Sequence, residues 1–177
     1  MFDASRIAAL SLIYDVVIPI SSRYYIISKG RKSGVIDSED GTIVIPIEYT
    51  EFKVENFGET DYATLTNELN GNSVVFNSSC GRYVALKDTY RIGCKFNGLL
   101  VLNQIRTSNG FKRTVVIKDS DMKIILQPTK VKQIGPTMYK DYKAAMTYID
   151  DGLKVDGVVY FIDKNYRIVA HSIGRLD

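Results

Sequence analysis

Residues 30–52 read GRKSGVIDSEDGTIVIPIEYTEF, and this stretch predicts a β-hairpin. Two apolar runs, GVI and TIVIPI, flank the polar residues 37–41. Asp and Gly are typical of a turn there, because Asp side chains bond to nearby backbone and Gly adopts left-handed backbone angles. Pro46 cannot donate a ladder hydrogen bond, so we expect it at a sheet edge or at a strand end.

The same order of strand, polar turn and strand occurs three more times along the chain. The first strands of the four hairpins carry equivalent apolar residues, separated by 40, 41 and 45 positions: Ile36, Phe76, Ile117 and Ile162. One further strand precedes each hairpin, at residues 24–27, 62–65, 99–102 and 145–148. The sequence therefore predicts a mainly β protein of four repeated three-stranded antiparallel meanders, in a solenoid or propeller-like stack, with the four equivalent residues buried.

A short helix is predicted before the first repeat. Asp3 is its expected N-cap, and the apolar stripe that follows predicts either packing onto the core or docking of a partner: Ile7, Leu10, Ile13 and Val17. We expect one repeat domain over residues 1–177. It divides into an N-terminal helix and cap (1–19), repeats at 20–57, 58–95 and 96–135, and a fourth repeat with an insertion at 136–177.

The first repeat resembles the WG, or KWG, repeat of bacterial proteins. The matching residues are Gly30, Lys32, Gly34, Val35, Ile36, Asp37, Gly41, Ile45, Pro46, Tyr49 and Glu51. Ser33 stands where that family has its Trp, and the chain contains no Trp. The resemblance implies a β-repeat protein of bacterial or phage type that acts as a non-catalytic interaction module. Because Lys32 and Gly34 look like linker residues, we expect Trp to be tolerated at position 33.

Charge is distributed unevenly along the chain. Residues 39–68 hold eight acidic residues and Lys53 alone, a local net of −7, whereas residues 91–143 hold eleven basic and three acidic residues, a net of +8. Opposite fields favour head-to-tail self-association or an asymmetric protein partner, and solvated strand faces are the plain alternative. Nucleic acid is not the expected partner, because no RNP-like or helix-turn-helix pattern accompanies the lysines. The candidate contact residues are Glu48, Glu51, Glu55, Lys112, Arg113, Lys130 and Lys132.

The residue types argue against most kinds of enzyme. His171 is the single histidine, and Cys80 and Cys94 lack metal-ligand spacing, so we expect no catalytic triad, no metal site and no cofactor. The apolar runs are too short to span a bilayer, and two cysteines suggest a reducing compartment.

The expected function is that of a non-enzymatic interaction or structural assembly protein, a subunit of a bacterial or phage structure in the cytoplasm or the virion. The first alternative is an immunity protein or inhibitor that binds a toxin or nuclease, with the acidic stretch imitating an anionic substrate. The second is an enzyme whose carboxylate pair is assembled by the fold.

Overall fold

The structure, a computed structural model, describes residues 3–105, 113–131, 133–146, 149–150 and 158–172. Within these residues the chain forms one helix and seventeen strands. It divides into two compact units, Met1–Thr89 and Tyr90–Asp177. The prediction of a mainly β protein with a short N-terminal helix is confirmed for the described residues.

The first unit holds the helix and two antiparallel sheets. Its elements are α1 (Ala4–Ser11), β1 (Val16–Pro19), β2 (Tyr24–Lys29), β3 (Lys32–Asp37), β4 (Ile43–Tyr49), β5 (Glu51–Phe57), β6 (Thr60–Thr66), β7 (Ser73–Asn77) and β8 (Arg82–Leu86). The first sheet has the order β1-β2-β3-β4 and the second the order β5-β6-β7-β8.

The second unit holds two further antiparallel sheets. Its strands are β9 (Tyr90–Phe96), β10 (Leu99–Gln104), β11 (Thr114–Lys118), β12 (Lys123–Val131), β13 (Ile134–Gly135), β14 (Tyr142–Met146), β15 (Ile149–Asp150), β16 (Val158–Asp163) and β17 (Ile168–Ser172). The third sheet has the order β15-β12-β11-β10-β9, and the fourth the order β13-β14-β16-β17.

Each repeat is larger than predicted, because a strand precedes every expected three-stranded meander. The additional strands are β1, β5, β9 and β13. The prediction of three-stranded meanders is therefore wrong, and each described sheet is built on four consecutive or nearly consecutive strands. Only Thr50 separates β4 from β5, so no recognisable turn announces the new strand. The expected boundary at residue 57 falls at the end of β5, which pairs with β6.

A backbone hydrogen bond supports the predicted repeat register in all four sheets. Residues two positions after Ile36, Phe76, Ile117 and Ile162 each donate their amide to a carbonyl at or just before the start of the preceding strand. These bonds are Ser38 to Arg23 (2.9 Å), Ser78 to Asp61 (3.1 Å), Asp119 to Gly98 (3.0 Å) and Lys164 to Asp141 (3.1 Å). The four apolar residues are all buried, at no more than 3% exposure, as predicted. The offsets read from the sequence thus describe a structural repeat.

Polar turn residues close the hairpins as their chemistry predicts. The Asp37 carboxylate accepts a bond from the Glu39 amide, and Gly41 has a φ of +78°. In the second sheet the Asn77 side chain accepts from the Ser79 amide, and Gly81 has a φ of +65°.

Within each unit the two sheets pack through one face each. Val35 and Ile45 of the first sheet share a buried cluster with Ala63 and Phe76 of the second. In the second unit, an equivalent cluster joins the third and fourth sheets: Leu99, Val116, Leu126, Ala144, Met146 and Ile162. Burial of this apolar area is the main stabilising contribution to each unit.

The helix α1 covers the other face of the first sheet. Asp3 caps it as predicted, because one carboxylate oxygen accepts from the Ser5 amide at 2.9 Å and the Arg6 amide at 3.4 Å. Ile7 and Leu10 pack on a buried cluster of three sheet residues: Tyr25, Ile27 and Ile36. Of the predicted stripe, Val17 lies in β1 against the same cluster, and Ile13 is 61% exposed because the helix ends at Ser11.

Gly34 and Pro46 of the WG-like motif meet at a bulge in the first sheet. Ser33 pairs with Tyr49 and Val35 with Ile45, so residues 46–48 of β4 lie opposite Gly34 alone. A Cβ atom at Gly34 would collide with the Ile45 carbonyl oxygen and would lie 2.9 Å from the Pro46 carbonyl carbon and oxygen. Pro46 is exposed on an edge strand, as predicted, since the bulge requires no ladder hydrogen bond from it.

Ser33 is a core residue, which contradicts the premise that it lies in a linker. It belongs to β3, is 4% exposed, and its hydroxyl lies 2.7 Å from that of Ser28. Gly, Lys and Ser are common in loops, which is why residues 32–34 look like a linker in the sequence. Because Ser33 is buried beside Ser28, we expect Trp at this position to be overpacked.

Candidate interaction surfaces

The structure gathers three exposed acidic residues where β4 passes into β5. Glu48 is the last residue but one of β4, which ends just before Thr50, and Glu51 is the first residue of β5, which begins just after it. The amide of Glu68 donates to the Thr50 hydroxyl at 3.0 Å, and the Glu48 carbonyl accepts from the Asn67 side chain at 3.1 Å. We call Glu48, Glu51 and Glu68 the acidic corner.

The acidic corner differs from the predicted set by one residue. Glu55 does not join it, because its carboxylate is paired with the Lys53 ammonium at 2.6 Å and is only 20% exposed. Glu68 replaces it, and sequence reasoning missed this because the β5–β6 pairing brings Thr66 beside Glu51. The spacing rule for strands already places Lys53 and Glu55 on one face, so their pairing could have been anticipated.

Two acidic residues of the same stretch, and Asp37 just before it, form polar contacts within the first sheet. The Arg23 guanidinium contacts the Asp37 carboxylate at 2.6 Å and the Glu39 carboxylate at 3.0 Å. Asp40 accepts from the Thr42 amide at 2.8 Å, and this hydrogen bond lowers the pKa of the Asp40 carboxyl below its ordinary value. Glu39 and Glu55 are thus paired with basic side chains, whereas Asp40, Glu59 and the acidic corner remain exposed and charged.

The basic candidates lie in the second unit. Arg113 is exposed and Lys130 is half-buried. Thr114 of β11 is the cross-strand partner of Thr129 of β12, so Arg113 and Lys130 lie at the same end of the hairpin that these strands form. Lys112 and Lys132 fall outside the described residues. The structure thus brings together two of the four predicted basic residues.

Three further lysines of the basic stretch already have contacts within the second unit. Lys95 contacts Asp119 at 3.0 Å, and Lys118 contacts Asp121 at 3.1 Å. The ammonium groups of Lys118 and Lys143 lie 5.1 and 4.5 Å from the centre of the Tyr166 ring, within the range of cation–π attraction. Their charge is therefore partly neutralised or engaged, while Arg91, Arg113, Lys123 and Lys140 remain exposed.

The described residues offer few candidates for catalysis or metal binding. They contain no group of three or more His, Cys, Asp or Glu residues placed to hold a metal ion. Neither Cys80 nor Cys94 forms a disulfide, and both are half-buried. Burial raises the pKa of the Cys94 thiol above its ordinary value, which makes it a poorer nucleophile near neutral pH. His171 lies in β17, and its side chain is outside the description. No helix among the described residues is long and apolar enough to cross a bilayer.

Comparisons with known proteins include a distant structural similarity. No protein-family model matches the sequence, and no curated protein matches it. Among solved structures, the chain is similar to the dihydro-heme d1 dehydrogenase NirN in complex with DHE, with 12% identity and a TM-score of 0.32. The match covers 89% of this chain and 39% of that one. A similarity of this strength carries no argument about fold or function.

Proposed function

We propose that the chain is a non-enzymatic β-repeat protein that acts through its surfaces, in the assembly of a larger bacterial or phage structure. The observation that carries the proposal is the acidic corner, where hydrogen bonds to the backbones of Glu48 and Glu68 bring three exposed acidic residues to one junction around Thr50. The exposed basic residues of the second unit supply the opposite charge. A copy of this chain, or an adjoining subunit with a basic surface, is the partner that such a corner attracts.

The first sheet is further proposed to be a divergent WG repeat. The motif residues Gly34, Ile45 and Pro46 meet at the bulge, and Asp37 and Gly41 form the turn. These contacts give a physical reason why the five residue types occur together. The fit supports the resemblance at its most specific residues, although Ser33 replaces the Trp.

Light scattering after size exclusion, repeated at 0.1 M and 1 M salt, tests the proposed association. The Debye length falls from about 10 Å to about 3 Å over this range, so contacts between exposed charges weaken. We expect an oligomer at 0.1 M salt that dissociates at 1 M. Glu48→Lys, Glu51→Lys and Glu68→Lys should each reduce the mass at low salt.

Glu59→Lys is the matched control, because Glu59 is exposed in the β5–β6 turn, at the opposite end of the strand from Glu51, and the change in net charge is the same. A monomer at every salt concentration, even in concentrated protein, would rule out self-association and restrict the proposal to a different partner. Strong salt-dependent binding of nucleic acid, lost in Arg113→Gln and Lys130→Gln, would overturn the proposal.

A further inference from the structure

The two sheet pairs repeat one packing rule. Val35 of the first sheet and Val116 of the third lie in β3 and β11, one position before the equivalent residues Ile36 and Ile117. Their faces pack on the next sheet, against Phe76 in the first unit and Ile162 in the second. Each sheet therefore has a leading face, which carries the Phe76-type residue, and a trailing face, which carries the Val35-type residue.

On the first sheet, a helix occupies the leading face. Tyr25 and Ile36 form a cross-strand pair there, as Ala63 and Phe76 do in the second sheet and Ala144 and Ile162 do in the fourth. In the second sheet this pair is covered by the trailing face of the first sheet, and in the fourth sheet by the trailing face of the third. The first sheet covers it with Ile7 and Leu10 of α1.

The helix is a smaller cover than a sheet. It has eight residues and none of them is buried, whereas Val35, Ile45 and Val116, which cover leading faces elsewhere, are fully buried. The sheet residues beneath the helix, Tyr25, Ile27 and Ile36, are buried all the same. A helix of this length is not stable without its tertiary contacts. Its polar attachment to the sheet is the Arg6 guanidinium, which donates to the Ser38 hydroxyl at 3.1 Å.

The fourth sheet has a trailing face that is only partly covered. Phe161 pairs with Val169, as Val35 pairs with Ile45 and Val116 with Leu126. The rings of Tyr139 and Tyr142 contact Phe161 with centroid separations of 5.9 and 4.7 Å. Phe161 itself is 9% exposed, whereas Tyr139 is 66% exposed and Val169 is half-buried. Among the described residues, two tyrosine rings therefore take the place of the packed sheet that the first and third sheets meet on this face.

We infer that α1 is a displaceable cap that prevents a second copy of the chain from docking the trailing face of its fourth sheet on the leading face of the first sheet. The chain makes this kind of contact twice within itself, so the partner surface is one that its own sequence already provides. Such a contact is heterologous, so repeated copies would form a ring if the rotation between them closes and an open chain if it does not. Tyr25 is larger than Ala63 and Ala144, so the docked sheet would stand farther away at this pair. This contact is apolar and does not involve the acidic corner.

Two variants remove the cap for the test. One lacks residues 1–12, and the other is the full-length double variant Ile7→Asp and Leu10→Asp. Masses are measured at 1 M salt, where the charge-driven association proposed above is suppressed, and circular dichroism checks folding. We expect both variants to keep their β spectrum and to at least double in mass as protein concentration rises, while the wild-type chain remains monomeric at this salt.

A matched pair of substitutions on β17 identifies the partner surface. Val169→Lys lies on the trailing face and should abolish the association of the uncapped chain, whereas Ile168→Lys, on the opposite face of the same strand, should not. Folded uncapped variants that stay monomeric would overturn the inference, as would equal effects of the two lysines. Unfolding of both uncapped variants would also overturn it, because α1 would then be an essential part of the fold rather than a displaceable cap.

Discussion

The close approach at Gly34 allows a quantitative prediction for Gly34→Ala. The added Cβ would meet backbone atoms of Ile45 and Pro46, which cannot move aside as a flexible side chain could. Overpacking of this kind costs about 1–3 kcal/mol. The loss of unfolded-state entropy from Gly to Ala opposes this by about 0.4–1 kcal/mol. The net expectation is therefore a destabilisation of roughly 1–2 kcal/mol.

Thermal and urea unfolding of the Gly34→Ala variant measure this change. For a chain of this length, about 1 kcal/mol lowers the melting temperature by roughly 2–4 °C. Gly135→Ala is the matched control, because a Cβ there meets nothing within 4 Å. The control should be neutral or slightly stabilised. If Gly34→Ala behaved like Gly135→Ala, the bulge around Pro46 would not be the reason for glycine at position 34.

Three other predictions concern the cores and their ionisation. Ser33→Trp should lower the free energy of unfolding by about 1–3 kcal/mol through overpacking. An unchanged urea midpoint would show that the space around position 33 can hold the larger side chain. Phe76→Ala should cost about 3–5 kcal/mol, because the ring is fully buried between two sheets, and a loss below about 1 kcal/mol would contradict that packing. Burial raises the pKa of the Tyr24 and Tyr49 hydroxyls, so their contribution to stability is complete below the unfolded pKa of about 10 and is lost as pH rises through the folded values. The urea midpoint should therefore fall as pH rises above about 10, before these two hydroxyls ionise in the folded chain, and a midpoint independent of pH would refute this.

The central strands and turns could be predicted because their signals are local. Continuous apolar runs such as residues 74–76 predict strands buried on both faces, and Asp37 or Asn77 followed by Gly four positions later predicts the turn. The repeat register followed from these signals alone. In every sheet it corresponds to an equivalent hydrogen bond, from the turn of the hairpin to the start of the preceding strand.

The first strand of each sheet could not be predicted by the same reasoning. β5 alternates charged residues with apolar ones, beginning Glu51, Phe52, Lys53, and follows β4 without a turn residue. β13 has only two residues. Val17 of β1 continues the apolar stripe that predicts the helix, so the sequence does not distinguish this strand from the helix. Such strands lie at sheet edges, where partial exposure permits polar residues, and tertiary pairing decides their conformation.

The acidic corner was predicted in part for a similar reason. Glu48 and Glu51 are neighbours in sequence, so a charge count finds them. Glu68 reaches them only through the pairing of β5 with β6, which depends on the register of the sheet. A sequence count also cannot show that the Asp37 and Glu39 carboxylates are held by Arg23.

The central structural claim is that four sheets repeat one arrangement, and amide hydrogen exchange tests it most directly. The account predicts that the amides of Ser38, Ser78, Asp119 and Lys164 are all protected, because each donates the equivalent bond from its hairpin turn to the start of the preceding strand. Their protection should exceed that of an exposed turn residue such as Glu59. Rapid exchange at two or more of the four amides, in a protein whose central strands are protected, would contradict the repeat.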